Sequence, residues 1–385
     1  MRLTYKFRLF PTKAQQTSMQ KSLDACRWVY NKTLETRKDA WENEKRSVGL
    51  YDTNKMLTQW KKDKPELKNA FSQALQDAQT RVDLAFKAFF RRVKRGEEKV
   101  GYPRFQGYRR YNSFTYKQYG TGVKLLDNGL LRLSKIGDVP IRLHREVCGN
   151  PKLVTVQRVR LGNWYACFSC IVNPEPMHPT QEVVGIDLGL TKFMVFSNGE
   201  VIPRSRWMKQ DEKDLKRVQR KVSRLAKGSP ERRKAVCALN HIHVRIANRR
   251  RNFAHQVSRQ IVNRFQVIVF EDLKITDMSE NALYKTITKG IADVAWGQVV
   301  EFTTYKAEYA GRTVVKVNPK GTTQECSGCG EIVPKTLSVR VHDCPHCGLV
   351  LDRDHNAALN ILGRGLSTLE AGNHRLLALL EAPPL

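Results

Sequence analysis

The amino-acid sequence predicts a multidomain α/β protein, in which a helical segment and a small all-β region precede a mixed α/β region with an inserted metal-binding ribbon. Apolar residues recur at helical spacing through residues 12–112, and short strand-like runs between turn signals fill residues 113–180. After residue 181, buried strand-like runs alternate with helices. A chain of 385 residues can form about two or three domains with large cores.

The composition is that of a folded, strongly basic protein. Hydrophobic residues make up 41% of the chain, which argues against full disorder, and the formal net charge is +30. Such a charge repels itself unless a polyanion binds it, so nucleic acid is the expected partner, with a ribosomal or histone-like structural role as the alternative. The longest apolar runs are far shorter than the roughly 18 residues that span a bilayer, and no signal peptide is visible, so no membrane partner is expected.

The N-terminal half begins with a strand. Residues 1–10 place Leu3, Tyr5, Phe7 and Leu9 on one face, and Thr12 is a candidate cap for the helix that follows Pro11. Helices then extend to about residue 112. Five runs after that point predict a small β-barrel or sandwich, which residues 1–10 could join: 113–116, 123–126, 130–133, 153–160 and 164–172. Prolines between residues 174 and 179 predict a linker.

The C-terminal half predicts an α/β arrangement. Strands are expected at residues 183–187, 192–196, 267–270 and 313–317, and helices over about 295–310 and from Asn356 onward. Two long helices should fill residues 210–264, interrupted at Gly228. We expect their apolar stripes to pack against the sheet and leave the Lys/Arg face free.

The two long helices are the most basic part of the chain. Residues 204–251 contain 17 Lys or Arg against 4 Asp or Glu. This predicts phosphate binding, for which we name Arg217, Arg220, Lys221 and Arg224, while the alternative is a solvated face with no partner.

Four of the nine cysteines form a pattern typical of structural zinc. The pattern consists of two C-x2-C pairs separated by fourteen residues, with a glycine after the second cysteine of each pair. Its cysteines are Cys326, Cys329, Cys344 and Cys347. Four thiolates complete a tetrahedral shell and leave no open position. The histidines at 342 and 346 are expected to be bystanders. The odd cysteine number and this cluster indicate a reducing compartment.

Acidic residues stand at three positions where chemistry is expected. Asp187 and Glu271 each end a buried strand-like run, and Asp352 and Asp354 lie close to the start of the last helix. Carboxylates brought together raise one another's pKa unless hard cations such as Mg²⁺ or Mn²⁺ neutralise them, and two such ions can hydrolyse a phosphodiester. Taken singly, each residue could instead be a turn residue, a helix cap or an ion-pair partner.

The order of these motifs resembles a known family. The chain resembles TnpB, the transposon-encoded RNA-guided endonuclease with a RuvC-like nuclease domain, which is related to miniature type V CRISPR effectors. Four motifs carry the resemblance, in this order: Gly-Ile-Asp187-Leu-Gly, Glu271-Asp-Leu, the four-cysteine ribbon and Asp352-Arg-Asp354-His-Asn-Ala-Ala. Further segments look like the same family: Tyr5 to Pro11, Arg27 to Asn31, 99–105 and Trp296-Gly-Gln. The resemblance covers nearly the whole chain.

The resemblance implies both a fold and a catalytic site. The fold is an RNase H-like (RuvC) nuclease at 181–320 and 350–370 with a zinc ribbon at 321–349, a β-barrel wedge domain at 1–10 and 113–180, a helical recognition lobe at 11–112 and a tail at 371–385. Asp187, Glu271 and Asp354 would be the metal-binding catalytic triad, with Asp352 as the alternative third ligand. Mg²⁺ or Mn²⁺ would occupy this site as two ions, beside one structural Zn²⁺.

The resemblance also implies the partners. These are a guide RNA derived from the transposon end and a double-stranded DNA target beside a short adjacent motif, bound by a monomer in the cytoplasm of a prokaryote, associated with the nucleoid. Four residues are candidates for reading the adjacent motif: Tyr51, Asn54, Gln76 and Thr115. A nuclease-inactive guided repressor, or an accessory protein of transposition, remains the alternative function.

Overall fold

A computed structural model describes residues 1–98, 100–108, 110–189, 191–204, 207–273, 296–336 and 339–372. Most of the expected tail, at 373–385, and Lys99 of the 99–105 segment lie outside the described residues. The chain divides into two compact units, at Met1–Asn173 and Pro174–Leu385. Among the described helices, none is long and apolar enough to cross a membrane.

The first unit contains a seven-stranded, near-barrel sheet. Its strands run in the order β2-β6-β7-β1-β5-β4-β3. They are β1 (Arg2–Leu9), β2 (Ser113–Tyr116), β3 (Val123–Leu125), β4 (Leu130–Leu133), β5 (Gly137–Arg142), β6 (Asn150–Arg158) and β7 (Trp164–Ile171). The first strand lies inside the sheet, because β1 pairs with β7 over its full length and with β5 at one end. The alternation expected from the sequence is present, since Tyr5, Phe7 and Leu9 are buried.

The strand β5 was not expected from the sequence. Gly137 and Pro140 break the usual strand pattern there, yet Val139 and Ile141 are buried and the strand pairs with β4. Pro140 contributes a side chain and a carbonyl to the sheet, and that carbonyl accepts a hydrogen bond from the backbone of Phe10 at 2.8 Å.

Helices fill the stretch between β1 and β2. They are α1 (Lys13–Glu44), α2 (Leu50–Asp63), a short 3₁₀ turn (Pro65–Asn69) and α3 (Ser72–Lys94). The Thr12 side chain accepts from the backbone of Gln15, and the Gln15 side chain accepts from the backbone of Thr12, so the expected cap of α1 is present as a reciprocal capping box.

The second unit contains a five-stranded sheet in the order β10-β9-β8-β11-β12. The strands are β8 (Val183–Leu188), β9 (Lys192–Phe196), β10 (Val201–Pro203), β11 (Val267–Glu271) and β12 (Thr313–Val317). Strand β11 is parallel to both β8 and β12, whereas β9 is antiparallel to β8 and to β10. A separate two-stranded hairpin joins β13 (Val341–Asp343) to β14 (Val350–Asp352).

Four helices are described in the second unit, and three of them cover the two faces of its sheet. They are α4 (Trp207–Arg224), α5 (Pro230–Arg264), α6 (Trp296–Ala310) and α7 (Arg353–Gly372), which begins three residues earlier than expected. The second half of α5 packs with α6 on the face that carries Ile186 and Phe270, while α7 packs on the face that carries Val269. The apolar stripe of α4 does not enter the core on the sheet, because α4 packs against α5 instead.

Candidate functional site

Two of the three expected carboxylates lie at one edge of the second sheet. Because β8 and β11 are parallel, their carboxyl ends meet at the same edge. Phe270 is in register with Ile186, and Glu271 and Asp187 each follow these residues directly. Both acidic residues are only 8% exposed.

The helix α7 brings the third carboxylate to this edge. A Cβ at Gly185 on β8 would collide with the carbonyl oxygen of Ala358, and one at Gly365 would lie 2.5 Å from Cγ1 of Val269 on β11. The two glycines therefore let the helix approach both strands closely. Asp354, in the first turn of α7, is also 8% exposed.

The three carboxylates interact electrostatically. Burial raises the pKa of Asp187 to about 8, and the negative charges of Glu271 and Asp354 contribute to that rise. Burial also raises the pKa of Glu271, while a hydrogen bond from Thr322 and the positive charge of Arg364 oppose that change. Such a set of buried oxygen ligands with poorly compensated charge fits hard divalent cations.

The carboxylate oxygens are not drawn into one tight cluster. Among the described residues, the four ribbon cysteines are the group of three or more metal-ligand side chains whose ligand atoms all lie within 4.8 Å of one another. The three acids share an edge at a wider spacing than this.

Asp352 has a different environment from Asp354. Its Oδ1 accepts from the backbone nitrogens of Asp354 at 3.1 Å and His355 at 3.3 Å, which is the hydrogen bonding of a helix N-cap. Its Oδ2 forms an ion pair with Lys192 at 2.7 Å. Hydrogen bonding and this ion pair lower the pKa of Asp352 against the effect of burial, and both oxygens already have protein partners.

The four cysteines of the ribbon converge. The Sγ atoms of Cys326 and Cys347 are 3.6 Å apart, and those of Cys329 and Cys344 are also 3.6 Å apart. Zinc–sulfur bonds of about 2.3 Å place tetrahedral sulfurs about 3.8 Å apart, so the spacing fits this metal. Gly330 and Gly348 adopt φ of 80° and 73°, as the turn after each pair requires. Neither His342 nor His346 belongs to the cluster.

The candidate residues for reading an adjacent motif lie in the first unit. Tyr51 on α2 is 71% exposed, with the Lys55 ammonium 4.4 Å from its ring centroid, and Gln76 on α3 is exposed. Asn54 is partly buried, and its Oδ1 has no hydrogen-bond partner among the described residues. Thr115 is 6% exposed, and its hydroxyl bonds to Arg81 and Thr155. Their role in binding nucleic acid stays a prediction.

Helices α4 and α5 form a hairpin with an unevenly distributed charge. The acidic Asp211 and Asp214 of α4 are engaged by arginines of α5, with Arg249 at 2.8 Å from Asp211 and Arg245 at 2.8 Å from Asp214. The four named basic residues line an open surface together with Lys213 and Lys216. The guanidinium of Arg217 is 80% exposed and only 3.6 Å from Asp214. The geometry thus provides a continuous cationic surface.

The sequence did not single out several residues that support the acidic edge. Thr322 contacts Glu271, and Asn356 and Asn360 hold the segment that contains Thr322. The sequence signal for the two asparagines was their spacing in Asn-Ala-Ala-Leu-Asn, which places both on one face of the helix, one turn apart.

A basic α/β protein with a carboxylate edge and a four-cysteine ribbon has the features of a metal-dependent nuclease. Family models match three parts of the chain: a "Helix-turn-helix domain" at 1–46, a "Probable transposase" domain at 157–282 and a "Cas12f1-like, TNB domain" at 296–361. The described residues of the first match form β1 and the single helix α1.

Relatives match almost the whole chain. It is 35% identical over 376 residues to the "Putative RNA-guided DNA endonuclease" of Streptomyces pristinaespiralis, covering 96% of this chain and 90% of that protein. It is 31% identical over 385 residues to the "Putative RNA-guided DNA endonuclease InsQ" of Escherichia coli K12, covering 96% and 93%. The chain therefore belongs to the TnpB family of RNA-guided DNA endonucleases.

A solved structure shares the fold. The mini-RNA-guided endonuclease CRISPR-Cas_phi3 aligns with a TM-score of 0.51 at 9% identity, covering 95% of this chain and 92% of that one. At this identity, the likeness concerns the fold alone.

Proposed function

We propose that this chain is a guided nuclease in which an RNase H-like (RuvC) domain hydrolyses DNA phosphodiesters, using Asp187, Glu271 and Asp354 as metal ligands. The observation that carries the proposal is the arrival of three buried carboxylates at one sheet edge, from β8, β11 and α7, with the pKa of Asp187 raised to about 8. Asp352 is left as the helix cap, because both its oxygens are engaged.

The residues of the site would hold two Mg²⁺ or Mn²⁺ ions. Bound there, the ions supply activation of a water molecule and stabilisation of the leaving oxygen. The protein's part is to hold three buried carboxylates at one edge, where bound cations would favour the ionised form of Asp187. The positive charge of Arg353, 3.4 Å from Asp354, opposes the rise in the pKa of Asp187, and the Thr322 hydroxyl, 2.6 Å from Glu271, opposes the rise in the pKa of Glu271.

The ribbon cysteines Cys326, Cys329, Cys344 and Cys347 would hold one structural zinc ion. Four thiol ligands leave no position for substrate, so this metal would act through folding. We expect elemental analysis of the purified protein to find one zinc per chain, and Cys326→Ser or Cys344→Ser to lower it below one. Wild-type protein without zinc would contradict this assignment.

The partners would be a guide RNA from the transposon end and a double-stranded DNA target. Base pairing with the guide would read the target sequence, while the basic face of α4 and α5 would bind the phosphate backbone. Tyr51, Asn54, Gln76 and Thr115 are proposed for the adjacent motif. We further propose that the protein acts as a monomer in the cytoplasm, associated with the nucleoid.

A cleavage assay tests the proposal. The protein, with its co-purifying RNA, is incubated with plasmids that carry the guide-matched target beside a randomised motif, in Mg²⁺ or in EDTA. We expect Mg²⁺-dependent cutting that is lost in Asp187→Ala, Glu271→Ala and Asp354→Ala, with guided binding retained. Guided binding without cutting by the wild type would favour a repressor, and joined strands would favour a role in transposition.

A matched pair of variants separates the two candidate third ligands. Asparagine also caps helices, so Asp352→Asn keeps the cap and loses only the charge. We expect Asp352→Asn to cut near the wild-type rate and Asp354→Asn to lose cutting. The opposite result would make Asp352 the ligand.

A further inference from the structure

The segment between β12 and the first cysteine pair of the ribbon reaches the acidic edge of the sheet. Within it, Thr322 is 2% exposed, and its hydroxyl lies 2.6 Å from Oε1 of Glu271 and 3.1 Å from the carbonyl oxygen of Pro319. A hydroxyl has one proton to donate, and the shorter contact to a charged acceptor is the stronger bond. Thr322 therefore restrains the rotation of the Glu271 carboxylate.

Side chains of α7 hold this segment in place. Nδ2 of Asn360 donates to the carbonyl oxygens of Thr322 at 2.9 Å and Glu325 at 2.7 Å. Asn356 donates to the carbonyl of Glu325 at 2.7 Å and accepts from the backbone nitrogen of Ser327 at 3.0 Å. Both asparagines are buried, so each bond fixes groups that water cannot satisfy.

A third side chain extends the same stripe by one turn. Arg364 donates to the carbonyl oxygens of Asn318 and Lys320, each at 2.8 Å, and forms an ion pair with Glu325 at 2.5 Å. Positions 356, 360 and 364 are four residues apart and so share one face of the helix. This stripe holds residues 318–327, a segment that includes Cys326, the first cysteine of the ribbon.

The same helix carries Asp354 in its first turn. One rigid element thus positions one carboxylate directly and a second through Thr322. Groups that hold metal ligands in place commonly change metal affinity when they are removed.

We propose that Thr322 is a positioning residue for Glu271, and that the stripe Asn356, Asn360 and Arg364 keeps it in register with Asp354. The proposal rests on the proposed function, because it takes the carboxylate edge as the site of divalent cations. It assigns to the start of the ribbon a role in cation affinity at the carboxylates, besides its own fold.

The test compares Thr322→Val, which keeps the shape and loses the hydroxyl, with Thr322→Ser, which keeps the hydroxyl. Binding of Mg²⁺ to the protein–RNA complex is measured by calorimetry, without DNA. We expect the Mg²⁺ dissociation constant to rise about tenfold in Thr322→Val and to stay within about twofold of wild type in Thr322→Ser. Zinc content and the melting temperature without added Mg²⁺, measured on both variants, report the fold.

Three outcomes decide the matter. Weakened Mg²⁺ binding in Thr322→Val alone, with one zinc per chain retained, supports the proposal. Wild-type affinity in Thr322→Val overturns it and leaves the proposed nuclease site intact. Wild-type protein whose Mg²⁺ binding is absent, or is unchanged by Asp187→Asn and Asp354→Asn, overturns the carboxylate site and this inference together.

Discussion

Asp187 is the residue at which burial and like charges act together. Its pKa is about 8 in the folded protein and near 3.8 in the unfolded chain. Between these two pH values, the folded protein holds a proton on Asp187 that the unfolded chain has released. Stability of the cation-free protein therefore falls as the pH rises from about 4 to about 8 through this group. Without bound cations this edge of the sheet is electrostatically unfavourable, as functional sites often are.

Replacing this carboxylate should stabilise the cation-free protein at high pH. We expect Asp187→Asn to melt at a higher temperature than wild type at pH 8 without added Mg²⁺. Its melting temperature should also depend less on pH between 5 and 8, because the amide removes the charge. Mg²⁺ should raise the melting temperature of the wild type and not that of the variant. Asp352→Asn is the matched control. Because the pKa of Asp352 is lowered, its ionisation affects stability only below about pH 4, so the pH dependence of the melting temperature between 5 and 8 should be unchanged in this variant. A lower melting temperature for Asp187→Asn than for wild type at pH 8 without added Mg²⁺ would contradict this account.

Some residues of the candidate site could be predicted from the sequence, and others could not. Asp187, Glu271 and the four cysteines could be singled out from local signals, namely strand ends and C-x2-C pairs, whereas the choice of Asp354 over Asp352 came from the resemblance to the TnpB family. Thr322 could not, because nothing adjacent to it in sequence shows that its hydroxyl meets Glu271, fifty-one positions away. Contacts of this kind become visible only once the chain has folded.

At the scale of elements, the close approach of α7 to the sheet sets the position of Asp354. Gly365 lies against Val269, whereas a Cβ at Gly363, on the same helix, would meet no described atom within 4 Å. The two glycines therefore form a natural pair for comparison.

We expect Gly365→Ala and Gly363→Ala to have opposite effects. The first forces the helix off the strand and should lower the free energy of unfolding by about 1–3 kcal/mol, with loss of cutting. Gly363→Ala only improves helix propensity and should raise the free energy of unfolding by about 0.5–1 kcal/mol, with cutting unchanged. Thermal unfolding and the cleavage assay measure both, and equal stability of the two variants would show that α7 can shift at little cost.

Elements with regular patterns could be predicted from the sequence, and irregular ones could not. The strands at the acidic edge and the helices that flank them are close to their expected bounds. The strand β5 was missed because Gly137 and Pro140 hide its alternation, and its stability comes from pairing with β4. The packing of α4 on α5 was missed because ion pairs of Asp211 and Asp214 direct it.

At the scale of the whole molecule, the excess positive charge is the dominant property. Asp211 and Asp214 of α4 pair with arginines of α5, and Glu212 pairs with Lys216 of α4 itself. The open face lined by basic residues of α4 is therefore the part that a polyanion could contact. Phosphate contacts would contribute affinity that depends on salt and carry no sequence information.

Neutralising this face should weaken binding uniformly. We expect the variant with Gln at 217, 220, 221 and 224 to bind RNA less tightly across sequences. The log–log dependence of affinity on salt should become shallower by about 0.7–0.9 for each phosphate that the variant no longer neutralises. The preferred adjacent motif should not change. Filter binding over a salt series measures the slope, and an unchanged slope would indicate a solvated face without a partner.

The position of β1 in its sheet has a consequence for synthesis. Arg2 pairs with Ile171 and Leu9 with Trp164, so β1 leaves the ribosome long before β7, the last strand of its unit. At about 5–20 residues per second, that interval is roughly 10–30 s in a growing chain. During it, β5 can pair only with Arg8 and Leu9 at one end of β1, so most of the β1 backbone lacks a partner strand and is open to chaperones. The first unit can close only when translation has reached its final strand, close to its boundary at Asn173.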